Sequence, residues 1–288
     1  MKTDLETIKM SFEYGFQEYE SSRLEAERVE DFYHNRQWSE EHRRILDARG
    51  QPKETFNVIK LFSRMLIGYY STVLNQVRAE PRRVSDQPVS SLLTDVISSI
   101  FEQNNMEVVG DQIKLSAILS GVMCCQVEPI FTGQRDEFGR KIYKIKLAHV
   151  PHNEIVLDPM SREEDYSDGR FLHRYKWVTA DVIKANFGEE LLNSLEANHA
   201  VLGVEEAPVG PHGFKYRTFD NYLVIHTVVE DDEGRRWSIL WCGDTEISRE
   251  EITFREVRWM YRVVKVHPSN HAEYYGIFRE VIASQLAI

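Results

Sequence analysis

Residues 113–147, IKLSAILSGVMCCQVEPIFTGQRDEFGRKIYKIKL, contain the point at which the sequence pattern changes from helical to extended. Up to Leu119, apolar residues recur at helical spacing, and Gly121 is a residue type that commonly ends helices. From Val122 onward, apolar positions flank the glycine-rich segment FTGQRDEFGR (131–140). This arrangement predicts two antiparallel strands joined by a polar turn.

The N-terminal part of the chain has the pattern of several amphipathic helices. From Leu5 to Phe32, apolar residues recur every three or four positions, with glutamates and arginines between them. A short helix is predicted after Ser39, a suitable N-cap, and it ends at Gly50 and Pro52 because both residue types interrupt helices. Further helical stripes lie at 57–80, 92–101 and 113–120.

Downstream of Val122, strands predominate in the predicted structure. The remaining predicted elements are strands at 155–157, 171–177 and 257–266, helices at 179–188 and 189–197, a hairpin at 222–243, and a helix from Asn270 onward. An acidic segment, SREEDYSDG (161–169), separates two of the strands. The sequence therefore predicts an α+β fold, with a helical N-terminal half, an antiparallel β-rich region, and the start of a long helix at the end.

Composition shifts suggest how the chain is organised. The expected segments are a helical region at 1–121, an α+β region at 122–202, a linker at 203–213, a hairpin and strand region at 214–266, and a helix start at 267–288. Glycine and proline make GVEEAPVGPHG (203–213) the best linker in the chain. The last residues, EVIASQLAI, are helix-prone and carry no stop signal, so we expect the sequence to be part of something longer.

The composition argues against several classes of protein. The 288 residues include 35 Lys and Arg against 46 Asp and Glu, which gives a net charge of −11, with 42% apolar and 28% charged residues. These shares are typical of a folded protein, and no apolar run approaches the roughly 20 residues of a membrane-spanning helix. The first residues lack the features of a secretory signal. Three cysteines form no disulfide framework, which favours a reducing compartment, and the acidic balance argues against tight nonspecific wrapping of nucleic acid.

No residue cluster predicts a catalytic site, a metal site or a cofactor. Cys124 and Cys125 are adjacent, and neighbouring strand residues point to opposite faces, so buried thiols are favoured over zinc ligands. His267 and His271 have metal-binding spacing, but Pro268 lies between them. The basic segment RAEPRR (78–83) is suited either to a phosphate backbone or to the negative end of the preceding helix.

One catalytic alternative stays open at this level. Glu128, Asp158 and Lys144 lie in or beside the strand region, and paired carboxylates with a lysine suit a metal-dependent nuclease. Acidic residues between strands are more often solvated turns, which is the favoured interpretation. His149, His152 and His173 have no carboxylate at a defined offset and are expected to be surface or hydrogen-bonded residues.

Two stretches carry a family resemblance. The first is DFYHNRQWSEEHRRILDARGQPKETFNVIKLFSRMLIGYY (31–70), and the second is VPHNEIVLDPMSREEDYSDGRFLHRYKWVTADVIKANFG (150–188). Their motif residues are Tyr33, Gln37, Trp38, Gly50, Pro52, Phe56, Asn57, Asp158, Pro159, Asp165, Asp168, Arg170, Lys176 and Trp177. In this order they resemble the portal proteins of tailed bacteriophages, particularly those of short-tailed phages. A later piece around Tyr275 and Gly276 resembles the segment that leads into the family's stem helices.

The resemblance implies a ring-shaped homo-oligomer, commonly a dodecamer, at one vertex of the capsid. It implies that double-stranded DNA is packaged and ejected through the ring, which contacts major capsid and scaffolding proteins, terminase and a tail adaptor protein. The implied location is the virion, with assembly in the host cytoplasm. Family members are usually longer, so this chain would match the wing and the approach to the stem. A head–tail adaptor protein is an alternative.

Residue roles within the motifs can be predicted only as packing and turn functions. Trp38 and Trp177 are expected to pack in the core because a tryptophan buries a large area. Asp158 is expected to shape a turn with the proline that follows it. Asp165 and Asp168 are expected in a solvated loop, with pairing to Arg36 or Arg43 of an adjacent subunit as the alternative. Gln37, Phe56 and Asn57 are expected to fix the turn between helices, and no residue is predicted to face DNA.

Overall fold

A computed structural model describes residues 1–52, 57–72, 77–198, 217–218, 221–253, 260–267 and 273–282. The described helices are α1 (Leu5–Glu18), α2 (Glu20–Tyr33), α3 (Glu40–Ala48), α4 (Val58–Thr72), α5 (Gln87–Gln103), α6 (Met106–Ser120), α7 (Ala180–Phe187) and α8 (Glu189–Asn198). The described strands are β1 (Val122–Arg135), β2 (Lys141–His149), β3 (Ile155–Leu157), β4 (Phe171–Thr179), β5 (Arg217–Thr218), β6 (Asn221–Glu230), β7 (Arg236–Cys242), β8 (Thr245–Glu251) and β9 (Tyr261–Lys265). The predicted α+β fold, with helices in the N-terminal half and antiparallel strands after them, is confirmed.

Long-range contacts divide the chain into two compact units whose sequence segments interleave. The large-sheet unit comprises Met1–Ser21, Asn153–Trp259 and Asn270–Ala272, and the helical unit comprises Ser22–His152, Met260–Ser269 and Glu273–Ile288. The expected segments follow changes in local sequence pattern, whereas these units follow contacts between distant parts of the chain. Local pattern carries no information on which distant segment a helix packs against, and α1 is grouped with strands from the second half of the chain. The expected linker at 203–213 lies outside the described residues.

The large-sheet unit contains an antiparallel sheet with both faces covered. Its strand order is β3-β4-β6-β7-β8, and β5 pairs with β6. Because side chains alternate along a strand, Leu223 and Ile225 of β6 join the core beneath α1, whereas Tyr222 joins the core beneath α7 and α8. The predicted hairpin between β6 and β7 is confirmed, and β8 was not predicted. Helix α1 presents Ile8 and Phe12, as its apolar stripe indicates.

Helix α1 lies very close to β3. A Cβ atom at Gly15 would be 2.7 Å from the Leu157 carbonyl oxygen and 2.7 Å from Val156 Cγ1. Glycine therefore permits a helix-to-strand approach that a larger residue would prevent. The predicted helical stripe from Leu5 to Phe32 is interrupted at Tyr19, which separates α1 from α2.

A fully buried hydrogen-bonded chain connects α1 to three strands of the large sheet. The Ser11 hydroxyl donates to the Ile8 carbonyl (2.7 Å), so its oxygen accepts from His173 Nε2 at 3.1 Å. The Thr227 hydroxyl then donates to His173 Nδ1 (2.7 Å) and accepts from Trp241 Nε1 (2.8 Å). Each of these groups is satisfied when the His173 ring is neutral and carries its proton on Nε2.

Burial lowers the pKa of His173 to about 3, with a smaller contribution from neighbouring His226. Burial likewise lowers the pKa of His226 to about 4. An unfolded chain takes up protons at these histidines below their ordinary pKa of about 6.5, whereas the folded chain does not. Their contribution to the free energy of unfolding is therefore present above pH 6.5 and is lost as the pH falls toward 4 and 3.

We predict that His173→Gln reduces the loss of stability between pH 6.5 and pH 4. Glutamine offers a donor and an acceptor to Ser11 and Thr227 but does not titrate, whereas His226 continues to contribute. Urea unfolding followed by circular dichroism at several pH values measures the slope. The matched control is the same substitution at the exposed His34. An unchanged slope in His173→Gln would contradict the prediction.

The helical unit is organised around the junction of α6 and β1. Strand β1 pairs with β2 and with β9, in the order β2-β1-β9, which confirms the hairpin predicted on either side of the glycine-rich turn. The unit's core is formed by side chains from α2, α4, α6 and the C-terminal segment: Val29, Phe32, Ile59, Ile118, Leu119, Phe278 and Ile282. The predicted strand at 257–266 is described from Met260 and contains β9.

The helix predicted from Asn270 onward is wrong for residues 273–281, which form an irregular segment followed by turns. The reason is close backbone packing against the end of α6. Ile277 N–H donates to the Ile118 carbonyl at 3.0 Å. A Cβ atom at Gly276 would be 2.2 Å from the Leu119 carbonyl oxygen. A helix is first assigned at Ile282, and residues 283–288 lie outside those described.

We predict that Gly121→Ala destabilises the protein by about 1–3 kcal/mol. Gly121 has φ of 81°, and a Cβ atom there would be 2.0 Å from the Tyr275 carbonyl oxygen. Gly110→Ala is the matched control in the same helix, because nothing lies within 4 Å of its Cβ position and alanine favours a helix. Thermal unfolding of both variants tests the prediction. It fails if Gly121→Ala is as stable as the control.

Candidate functional site

The predicted motif residues fall into two groups. The acidic loop, residues 158–170, connects β3 to β4 in the large-sheet unit. The helix junction, residues 33–57, connects α2 to α4 in the helical unit, and its residues 53–56 lie outside those described. Each group is described by itself.

Asp158 is the buried anchor of the acidic loop. Its side chain is 1% exposed, and its carboxylate accepts from Arg170 Nε at 2.7 Å and from Arg170 Nη2 at 3.1 Å. It also accepts from the backbone N–H groups of Met160 (3.0 Å) and Arg170 (3.2 Å). The carboxylate raises the pKa of Arg170, chiefly through the side-chain hydrogen bond. Asp158 thus bridges both ends of the loop, which extends the turn role expected for it.

Asp168 closes the middle of the same loop. Its carboxylate accepts from the Ser161 hydroxyl at 2.6 Å and from the Arg162 N–H at 2.6 Å. Partial burial raises the pKa of Asp168, but the hydrogen bonds outweigh burial and hold the pKa below its usual value. Asp165 accepts from the Ser167 N–H at 3.0 Å. Asp165 and Asp168 are exposed, as expected for a solvated loop, and their carboxylates are in addition hydrogen-bonded to groups within the loop.

Tyr166 is the residue that the sequence analysis missed. It is buried with φ of 58°, and its hydroxyl accepts from the Asp158 N–H and donates to the Phe171 carbonyl. Burial raises the pKa of this hydroxyl well above its usual value. A Cβ atom at Gly169 would be 2.5 Å from the Tyr166 ring, so glycine makes room for the ring. The local sequence, in which Tyr166 lies in an acidic segment and is followed by Ser-Asp-Gly, did not indicate this role.

Asn57 joins the two helices of the helix junction. Its amide donates to the carbonyl oxygens of Phe32 (2.9 Å) and Tyr33 (2.8 Å), which lie at the end of α2. Its side-chain oxygen accepts from the Lys60 N–H at 2.8 Å, as an N-cap of α4 does. These are the contacts expected of a residue that fixes the turn between helices.

The other junction residues contribute ring contacts and a helix end. Lys60 Nζ lies 5.7 Å from the centroid of the Tyr33 ring, and half-buried Trp38 is 6.5 Å from the His42 ring. Gly50 has φ of 62° just after α3, and its N–H donates to the Asp47 carbonyl. Gln37 is half-buried and Pro52 is exposed. Phe56 lies outside the described residues.

Trp177 does not lie in the core. Its side chain is 49% exposed near the end of β4, so the expected core packing is wrong at this position. The reason is that the buried residues of β4 are concentrated at its beginning, from Phe171 to His173. Lys176 Nζ lies 3.5 Å from Glu154, which also binds Arg174 at 2.9 Å.

The described residues give little support for a metal site or for a nucleophilic side chain. In this part of the chain no group of three or more His, Cys, Asp or Glu residues is arranged to hold a metal ion. Asp158, required by the nuclease alternative, is bound by Arg170, and Glu128 and Lys144 belong to the other unit. Burial raises the pKa of the Cys242 thiol to about 12, which disfavours the reactive thiolate.

Two of the three histidines considered for a site are buried. Burial lowers the pKa of His152 to about 4, assisted by His149 and Arg23. His173 belongs to the buried hydrogen-bonded chain of side chains described above.

Within the described ranges, none of the helices combines the length and apolar character needed to cross a bilayer.

We predict that Asp158→Ala destabilises the protein by about 2–3 kcal/mol. Asp158 is buried, and its substitution removes the acceptor of two backbone N–H groups and of the Arg170 guanidinium. The Arg170 side chain itself is half-exposed. Asp165→Ala is the matched control in the same loop. The Asp165 carboxylate is exposed and accepts a hydrogen bond from the nearby Ser167 N–H, so its removal should lower the free energy of unfolding much less. Chemical unfolding curves compare the two. Equal stabilities would contradict the prediction.

Comparison with known proteins extends over nearly the whole chain. A model of the phage P22-like portal protein family matches residues 9–288. The portal protein of Helicobacter pylori bacteriophage KHP30 is 21% identical over 282 residues, which cover 96% of this chain and 43% of that protein. The chain thus spans less than half the length of this relative. Because the family match covers more than half of the chain, the chain belongs to the phage P22-like portal protein family.

Proposed function

We propose that this chain is a subunit, or the wing-containing portion of a subunit, of the portal ring of a tailed phage. The ring would serve as the conduit through which double-stranded DNA enters and leaves the capsid. The observation that carries the proposal is the family match over residues 9–288, which includes both groups of motif residues. Because the chain spans 43% of its relative, the activity and the partners belong to the proposal.

The proposed assembly is a closed homo-oligomer, with a dodecamer as the expected size, at the portal vertex of the virion. Its proposed partners are the major capsid and scaffolding proteins, the terminase, a tail adaptor protein and the DNA that passes through. Assembly would take place in the host cytoplasm. No membrane and no cofactor is involved in this proposal.

The charge of the chain suits a passage better than a tight DNA-binding surface. Each phosphate that a lysine or arginine neutralises adds affinity, and strong affinity would slow the movement of DNA through the ring. A net charge of −11 instead favours repulsion, which keeps a duplex mobile.

A structural role without catalysis fits the chemistry of the acidic loop. The carboxylates of Asp158 and Asp168 already accept hydrogen bonds from donors within the loop, as described above. Carboxylates that bind a catalytic metal ion need free lone pairs directed at the metal. The loop is therefore better suited to hold β3 and β4 together than to cleave DNA.

We predict that the complete gene product forms rings with a central hole. Negative-stain electron microscopy of the purified protein, with rotational averaging of end-on views, measures the ring and its subunit number. The portal vertex of the virion should contain the same ring. Monomers of the complete gene product, together with virions that lack this protein, would overturn the proposed function.

A further inference from the structure

Helix α4 has an apolar surface on the side away from its own core. Ile59 and Ser63 are fully buried on the inner side of the helix. Leu61, Phe62 and Met65 lie on the other side and are between 49% and 59% exposed. Three large apolar side chains on neighbouring positions of one helix form a patch, which we call the α4 face. Solvated helices normally place polar residues at such positions.

Helix α5 also carries apolar residues on its outer side. Ser90 is buried and Thr94 half-buried on the inner side, where the Thr94 hydroxyl oxygen accepts from the Ala79 N–H at 3.1 Å. The outer side carries large apolar residues that are between 46% and 63% exposed: Val89, Leu92, Leu93 and Val96. We call this group the α5 face. Up to Val96, small polar residues inside and large apolar residues outside reverse the usual arrangement of a surface helix, whereas Ile97 and Phe101 further along the inner side are half-buried.

The two faces differ in charge. Helix α4 contains Lys60 and Arg64 and no acidic residue. Helix α5 contains Asp95 and Glu102 and no basic residue. Arg64 lies three residues after Leu61, and Asp95 lies three residues after Leu92, so each charge borders its apolar face. An α4 face on another α4 face would bring cations together, and two α5 faces would bring carboxylates together. An α4 face against an α5 face pairs opposite charges.

We propose that the α4 face of one copy of this chain packs on the α5 face of the next copy. The inference rests on the proposed function as a ring subunit and adds which surfaces meet. Both faces belong to one unit, in which α4 and α5 pack against α6, so each copy carries one of each at a fixed separation. Such head-to-tail contacts are heterologous, and they generate rings when the rotation between copies closes. Apolar contact drives the association, and the charges at its border select the pairing.

Two triple variants test the proposal in the chain as it stands. The first changes the α4 face by Leu61→Gln, Phe62→Gln and Met65→Gln, and the second changes the α5 face by Leu92→Gln, Leu93→Gln and Val96→Gln. Glutamine removes the apolar surface, keeps the charge and is compatible with a helix. The control replaces exposed apolar residues elsewhere, with Val108→Gln, Phe138→Gln and Met160→Gln. Circular dichroism verifies that each variant folds, and mass photometry measures assembly.

The expected result is that the wild type and the control assemble, whereas each face variant alone is monomeric. An equimolar mixture of the two face variants should form heterodimers and stop there, because one intact α4 face meets one intact α5 face. The proposal is overturned if either face variant assembles like the wild type, if one of them forms homodimers, or if the mixture stays monomeric.

A wild-type chain that stays monomeric at all concentrations also overturns the proposal, since another segment or partner must then cover these faces. In that case, electron micrographs of the complete gene product would still show rings. The failure of this interface is therefore distinguishable from failure of the proposed function.

If a face variant misfolds, cross-linking supplies an independent measurement. Met65→Cys in one preparation is mixed with Leu92→Cys in another, and a short bis-maleimide is added. Adducts of two chains that require both cysteines support the proposal. Adducts formed equally well by either preparation alone contradict it.

Discussion

The close backbone contact between the end of α6 and the C-terminal segment constrains most of the helical unit. Gly121 adopts a left-handed conformation there, and the Tyr275 backbone occupies the space where a side chain would begin. From this point β1 departs, and the Val266 N–H donates to the Gly121 carbonyl, so β9 is held at the same place. A helix, two strands and the C-terminal segment meet at one residue, and Gly276 allows the approach from the other side.

Internal satisfaction of polar groups recurs in the large-sheet unit. The carboxylates of the acidic loop accept hydrogen bonds from the loop's own backbone and from Arg170, and the buried His173 ring is hydrogen-bonded to Ser11 and Thr227. Buried polar groups are tolerated when every member of a network has a partner, and such networks favour one arrangement over others. In this unit the hydrogen bonds of these polar residues connect α1, the acidic loop and the strands to one another.

Sequence reasoning succeeded at several positions where the signal was local. The N-cap Ser39, the helix end at Gly121 and the hairpins on either side of polar turns were predicted because each depends on backbone preferences of a few residues. It was less successful with individual side chains. Trp177 was expected in the core from its size, but its place near the end of β4 leaves it half-exposed. The partner of Asp158 was also beyond reach, since nothing local distinguishes Arg170 from other arginines.

By itself the sequence determined the class of fold, the order of most helices and strands, and the family resemblance in two motif stretches. These follow from apolar periodicity and turn residues, which act over short distances along the chain. Only the tertiary structure decided that α1 belongs to the large sheet, that Tyr166 closes the acidic loop, and that residues 273–281 are not helical. It also decided that the apolar faces of α4 and α5 stay exposed, because an apolar stripe predicts burial but does not identify the surface that covers it.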